Sequence, residues 1–412
     1  MKYIIFLGDG MADLPVEALG HRTPLQVAQK PNMNRMASIG TGGLVKTVPD
    51  TLSPGSDTAN MSVLGYNPEL YYTGRSPLEA ISMSIEMGPG DVAFRTNLVT
   101  LTDEENYRQK TMIDYSSDEI GSDEAARLIE IINEHFATEE FQFYPGKSYR
   151  HCLIWKNGPT SMKLVPPHDI LTQKVTSFLP TGEGADKLLA MMEQSAQFLP
   201  SHPVNKARIK RDLRPANSIW IWGQGTRPEL PVLSDQYGIK GSVISAVDLI
   251  NGLGICAGLR VVEVPGVTGN IHTNFRGKAE HAIMEFERGQ DYVYLHVEAP
   301  DECGHRAEID NKVKSIELID QEIIGPVWEY LEKHYQQTGE DYRIMVLPDH
   351  PTPLALRTHT NAPVPFAAYS SDGAFKRSVP AYDEITCQDS EVFVVEGHTL
   401  FGHFIAGTID GD

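Results

Sequence analysis

Three stretches of this chain constrain its fold more than any other feature. They are "KYIIFLGDG" (Lys2–Gly10), "DYVYLHVEAPD" (Asp291–Asp301) and "YRIMVLPDH" (Tyr342–His350). Each is a short, nearly continuous apolar run that breaks into acidic or histidine residues. Such a run suits a strand buried on both faces, as in a parallel sheet covered by helices. "SIWIWGQG" (Ser218–Gly225) has the same shape and reads as a fourth strand of this kind. Helix-like segments lie between. In "NKVKSIELIDQEIIGPVWEYLEKHY" (Asn311–Tyr335), Val313, Ile316, Ile319, Ile323 and Val327 recur at helical spacing. "GSVISAVDLINGLGICAGL" (Gly241–Leu259) reads as another helix. Strands alternating with helices predict an α/β fold with a mostly parallel sheet flanked by helices. Ligands of such sheets bind outside the carboxyl ends of the strands.

The middle of the chain breaks this rhythm. From about residue 93 to 215 there is an acidic helix ("SSDEIGSDEAARLIEIINEHF"), a Pro-rich turn ("LVPPHD") and a basic run, "NKARIKRDLR". We read 93–215 as an inserted α+β domain and 1–92 with 216–412 as the core. A length of 412 residues supports two domains, or one with an insertion. The basic run, Asn205–Arg214, reads as a solvated or hinge segment.

Charge and cysteine content narrow the function. A net charge of −20 gives no electrostatic reason to bind nucleic acid or an anionic membrane. An anionic substrate then needs a local cluster of cations. Four scattered cysteines, none in a CxxC pair, suit reduced thiols in a cytoplasmic protein. The apolar run at the N-terminus is too short for a signal peptide, and no segment reads as a membrane span. "WGQG" does not complete a dinucleotide fingerprint, and no Walker-type loop is present, which counts against a conventional nucleotide-dependent kinase.

The strand-end residues form a chemical set: Asp9; Asp301 and His305 in "DECGH"; Asp349 and His350 in "PDH"; and His359 in "RTHTNAPVPF". Mixed Asp and His donors suit Zn²⁺ or Mn²⁺. Six donors are too many for one catalytic ion with an open position. They suit two ions, which together can clamp the attacking and leaving oxygens of a phosphoryl transfer. Spacing alone does not assign each donor to an ion. Cys303 reads as a small buried hydrophobe. His272, His281, His296, His398 and His403 have no carboxylate partner visible in the sequence and read as core or surface histidines.

The segments "FLGDG", "GSDTANMSVLGY", "YYTGRSPLEA", "FRTN", "DECGH", "PDH" and "THTNAPVP" occur in an order that resembles the cofactor-independent phosphoglycerate mutases of the archaeal type, members of the alkaline phosphatase superfamily. The resemblance spans essentially the whole chain and is weakest in the middle. It implies an alkaline-phosphatase-like core and a transiently phosphorylated serine at Ser56. It implies that Asp301, His305 and His359 hold one divalent ion, and that Asp9, Asp349 and His350, with Ser56 Oγ, hold the other. Mn²⁺ and Zn²⁺ are the leading candidates, with Mg²⁺ a further one, and 2,3-bisphosphoglycerate is not required. The implied reaction interconverts 3-phosphoglycerate and 2-phosphoglycerate, small phosphorylated hydroxy acids.

Coordination to a dication lowers the pKa of a serine hydroxyl, and a helix N-terminus after Ser56 suits a phosphate. A mutase must hold its dephosphorylated intermediate away from water. That calls for a lid, for which the inserted domain is the candidate, and for cationic clamps, for which Arg75, Arg95, Arg276 and Lys278 are the candidates. Two other readings stay open: a related phosphotransferase, such as the homoserine kinase proposed for relatives, or a phosphatase on the same site. A non-catalytic metal protein is a further class, against which Ser56 argues. The sequence leaves the oligomeric state open.

Overall fold

The apolar runs become neighbouring strands. The computed structural model describes residues 1–409. In chain order its strands are β1 (Lys2–Gly8), β2 (Thr41–Val45), β3 (Val92–Leu101), β4 (Met112–Asp114), β5 (Phe141–Tyr144), β6 (Arg150–Trp155), β7 (Ser218–Thr226), β8 (Gly241–Ile244), β9 (Arg260–Val261), β10 (Tyr292–Val297), β11 (Tyr342–Leu347), β12 (Val364–Ser370) and β13 (Phe393–Val394). The chain divides into two compact units, Met1–Tyr72 with Glu229–Asp412, and Thr73–Pro228.

The first unit holds an eight-stranded sheet in the order β13-β2-β12-β11-β1-β10-β8-β9. β1 lies parallel to both neighbours, with Leu7 opposite His296 on one side and Leu347 on the other. Only β12 runs against the rest. Every residue of β1, β10 and β11 is buried, which is why these runs show no polar alternation. Ile4 and Phe6 join Val293, Leu295, Ile344 and Val346 in one core. The helices Pro31–Ile39, Phe275–Glu287 and Gly325–Thr338 pack into it through Met33, Met36, Phe275, Phe286, Val327 and Leu331. Fully burying one such side chain stabilises the fold by about 1.5–3 kcal/mol. The expected α/β architecture, a mostly parallel sheet flanked by helices, is the one observed.

The second unit is a separate five-stranded antiparallel sheet, in which β3 pairs with β4, β6 and β7. The helices Ser122–Phe136 and Ala185–Phe198 complete its core. This unit reaches past 93–215 at both ends. The helix Ser76–Ser82 packs against β3, and β7 pairs along most of β3. "SIWIWGQG" is therefore not a parallel strand of the large sheet. Its apolar run is matched by another sheet with a buried face, and periodicity cannot tell the two apart.

Two further expectations are corrected. Gly241–Ile244 is strand β8, parallel to β10, and the helix begins only at Asp248. A short apolar run suits either element. The basic run is not solvated throughout. Arg208 is buried, with Nη1 2.6 Å from Glu124 Oε2 and Nε donating to Arg214 O at 3.0 Å. Arg211 also pairs with Glu124, and Arg214 with Asp114 at 3.0 Å. Glu124 of the acidic helix and Asp114 of β4 thus neutralise part of the basic run. Among the described residues, no helix is long and apolar enough to cross a membrane.

Candidate metal centre

Sheet order explains how residues hundreds of positions apart meet. β11, β1 and β10 are adjacent and parallel, so their carboxyl ends lie side by side. Asp9 follows β1 directly, Asp349 follows β11 by two residues, and Asp301 lies in the first turn of the helix Ala299–Arg306 after β10. His305 is one helical turn beyond Asp301 and faces it. Because β12 is antiparallel, the loop before it, carrying His359, arrives at the same edge. β2 runs parallel to β11 and leads towards the helix Ser56–Val63.

The tight turn around Asp9 needs glycine. Gly10 has φ +61°, and a Cβ there would lie 2.5 Å from Thr352 Oγ1 and 2.8 Å from Asp301 Cα. Only a residue without a side chain lets the β1 end approach Asp301 this closely.

The donors fall into two groups. Asp301, His350 and His359 offer ligand atoms within 4.8 Å of one another, as do Asp9, Asp349 and His350. His350 reaches both. His305 adjoins the first: its Nε2 is 3.2 Å from Asp301 Oδ2 and 2.9 Å from His359 Nε2. Its Nδ1 is 3.0 Å from Arg357 O. Ser56 Oγ lies 3.2 Å from His350 Nε2. Ser56 is the first residue of its helix, which has no side-chain cap. The serine oxygen is thus directed at the donor set and not at its own helix. All six metal-type residues and Ser56 come together.

Electrostatics mark this as a place for cations. Burial, then the carboxylates of Asp349 and Asp301, push the Asp9 carboxyl well above its usual range. Asp9 Oδ1 is buried without a hydrogen-bond partner among the described residues. Burial opposes ionisation of Asp301 too, but hydrogen bonds with His305 and His359 hold its pKa well below normal. The Asp301 contact raises His305 to about 9. Carboxylates crowded in a dry site repel one another unless positive charge lies between them. A divalent cation supplies that charge, and the mixed oxygen and nitrogen donors fit one.

Several residues of the site escaped the sequence reading. His296 Nε2 is 2.9 Å from Asp9 Oδ2, and its Nδ1 is 3.1 Å from Ser245 Oγ. It therefore has the carboxylate partner it was expected to lack. Asn60 donates to Asp349 Oδ2 and to Ser56 O, each at 2.8 Å. The Tyr294 hydroxyl donates to Asn60 Oδ1. Thr352 contacts Asp301 and His350. The signal for Asn60 was its place one turn after Ser56; the others required the strand pairing. Cys303 is buried, and burial pushes its thiol to about 12, as suits a small hydrophobe.

The four cationic candidates separate. Lys278 is fully buried and donates to His296 O at 2.6 Å, so it is an internal strut and not a surface clamp. Its place on the buried face of the helix Phe275–Glu287 explains the misreading. Arg276 is exposed, 3.5 Å from Glu280 and 3.7 Å from Glu322. Arg75 and Arg95 lie in the second unit and share Glu79, at 3.0 and 3.1 Å. The Arg95 guanidinium also stacks over Trp222 at 4.7 Å.

A serine hydroxyl beside two clusters of Asp and His donors defines a site of phosphoryl-transfer type. Comparison with known proteins carries this to a family. Residues 37–205 match the family model for 2,3-bisphosphoglycerate-independent phosphoglycerate mutase. A probable 2,3-bisphosphoglycerate-independent phosphoglycerate mutase of Geobacter sulfurreducens is 48% identical over 400 residues, covering 97% of this chain and 98% of that protein. The enzyme of that name from Methanothrix thermoacetophila is 47% identical, covering 99% and 100%. Among solved structures, the PH0037 protein of Pyrococcus horikoshii superposes with a TM-score of 0.81 at 25% identity, covering 99% of this chain and 97% of that one. The cofactor-independent phosphoglycerate mutase of Thermoplasma acidophilum gives 0.66 at 26% identity, covering 99% and 100%. The chain belongs to the 2,3-bisphosphoglycerate-independent phosphoglycerate mutase family.

Proposed function

We propose that this protein interconverts 3-phosphoglycerate and 2-phosphoglycerate through a phosphoserine at Ser56, without 2,3-bisphosphoglycerate. The observation that carries the reading is Ser56 Oγ, 3.2 Å from His350 Nε2 and beside two groups of metal-type donors. On this reading Asp301, His305 and His359 hold one divalent ion, and Asp9, Asp349, His350 and Ser56 the other, with Mn²⁺ or Zn²⁺ preferred and Mg²⁺ a further candidate. Bound ions supply charge neutralisation and a lowered pKa for the serine hydroxyl.

The chain's own residues do the rest. Asn60 holds Asp349 against the main chain of Ser56, so nucleophile and ligand keep one geometry. The positive end of the Ser56–Val63 helix favours an arriving phosphate. In the first half-reaction the bond from phosphorus to the substrate oxygen breaks and one to Ser56 Oγ forms; the hydroxyl proton that Ser56 gives up balances the one the substrate oxygen takes up. In the second, the bond from phosphorus to Ser56 Oγ breaks and one to the neighbouring hydroxyl of the same glycerate forms, that hydroxyl losing a proton as Ser56 regains one. Retaining that glycerate calls for cations, and Arg75 and Arg95 of the inserted unit are our candidates for its carboxylate or phosphate. We assign that unit, including the 93–215 stretch, the role of lid and substrate-holding domain. Four buried cysteines, scattered along the chain with no CxxC pair, support a cytoplasmic setting.

The test is purified protein with Mn²⁺ or Zn²⁺ and 3-phosphoglycerate, the 2-phosphoglycerate formed being followed through enolase. Homoserine with a phosphate donor, and a generic phosphate ester, run alongside. The expected result is mutase activity that disappears in Ser56→Ala. Absence of 2-phosphoglycerate with any metal, or full activity in Ser56→Ala, refutes the proposal.

A further inference from the structure

We propose that Thr352 is a positioning residue that sets which nitrogen of the His350 ring carries the proton and couples the two donor groups. The inference deepens the two-ion reading above and rests on it. Thr352 Oγ1 donates to Asp301 Oδ1 at 2.5 Å and lies 3.3 Å from His350 Nδ1. A hydroxyl has one proton. With that proton on the carboxylate bond, the oxygen can only accept from the ring. Nδ1 therefore carries the hydrogen, and Nε2 keeps its lone pair. That bare nitrogen is 3.2 Å from Ser56 Oγ, 3.4 Å from Asp349 Oδ2 and 3.6 Å from Asp9 Oδ1. A metal-ligating histidine needs this division of roles, its second nitrogen donating to a fixed acceptor.

The hydroxyl is held in place from several sides. Thr352 is fully buried. Its N–H donates to Ala12 O at 3.2 Å, and its carbonyl accepts from Lys312 Nζ at 2.7 Å. Lys312 is itself fixed by Asp13 Oδ2 at 2.7 Å. Gly10 and Gly304 make room for it: a Cβ on Gly304 would lie 2.4 Å from Thr352 O. One hydroxyl thus bridges Asp301, of the first donor group, and His350, which reaches the second.

Thr352→Val keeps the shape and removes the bridge; Thr352→Ser restores the hydroxyl. Titration calorimetry of metal-free protein with Mn²⁺ alone reads both. Thr352→Val is expected to bind about 10–100-fold more weakly, and Thr352→Ser near wild type. Wild-type affinity in Thr352→Val overturns the proposal. A second readout needs no variant to fold well. Heteronuclear NMR of the imidazole nitrogens in metal-free wild type, assigned with His350→Gln, shows the ring proton directly. A proton on Nδ1 supports the proposal, and one on Nε2 overturns it. If wild type fails to take up two ions, the two-ion reading falls, while the ring-proton result still decides the part played by Thr352.

Discussion

Lys312→Met tests whether the loop after β11 is held by a buried ion pair. The Lys312 side chain is 0% exposed and that of Asp13 1%, at 2.7 Å. Asp13 also accepts the N–H of Leu14 at 2.8 Å and of Leu354 at 3.1 Å. Those bonds satisfy its lone pairs but not its charge. Methionine matches the lysine stem and leaves a buried carboxylate unpaired, which typically costs about 3–5 kcal/mol. The Thr352 carbonyl loses its donor as well. For a folding unit of this size each kcal/mol shifts the melting temperature by about 2–4 °C, so the expected fall is about 6–20 °C. Replacing both partners removes the orphaned charge, so Asp13→Asn with Lys312→Met should recover most of the loss. Melting followed by circular dichroism on wild type, both single variants and the double variant completes the cycle. A loss under about 1 kcal/mol in Lys312→Met, or a double variant no better than the single, refutes the reasoning.

Three further outcomes are expected. Lys278 is buried, and burial lowers its amine to about 8. The unfolded chain therefore binds more protons between about pH 8 and pH 10.4, and this group's contribution to stability rises with pH across that window by about 3 kcal/mol. Urea unfolding at several pH values should show a rise that Lys278→Met lacks; identical slopes would count against it. Gly10→Ala forces a side chain into a left-handed turn and onto Thr352 Oγ1 and Asp301, costing at least about 1–3 kcal/mol, measurable by denaturant midpoint. On the two-ion reading, His296→Gln loosens Asp9 and lowers Mn²⁺ affinity about 10–100-fold by calorimetry; unchanged affinity would show that His296 only fills space.

Much of the centre was legible in one dimension because its chemistry sits next to strong local signals. Asp9, Asp301 and Asp349 each follow an apolar run, and parallel strands bring such ends to the same edge of the sheet whatever the strand order. Ser56 was legible through the resemblance of "GSDTANMSVLGY" to the family. Where those signals were absent, the reading failed. His296 lies inside a buried strand, and nothing local distinguishes it from a core histidine. Lys278 looked like a surface cation because the burial of a helix face depends on what packs there. β7 was assigned to the wrong sheet because an apolar run specifies burial and not a partner.

The sequence by itself determined the fold class, and its local patterns put forward the two-part organisation and the six candidate donors at strand ends, while Ser56 entered through the family resemblance. The fold class and the donor set depend on composition and spacing within a few residues. Only the tertiary structure decided which strands are neighbours, and with that the contacts of Asp9 with His296, Asn60 with Asp349, and Thr352 with Asp301 and His350. The physical reason is one of range. Strand and turn formation are local and leave a pattern in the chain. A hydrogen bond between residues separated by 287 positions, as between Asp9 and His296, exists only once the sheet order is set.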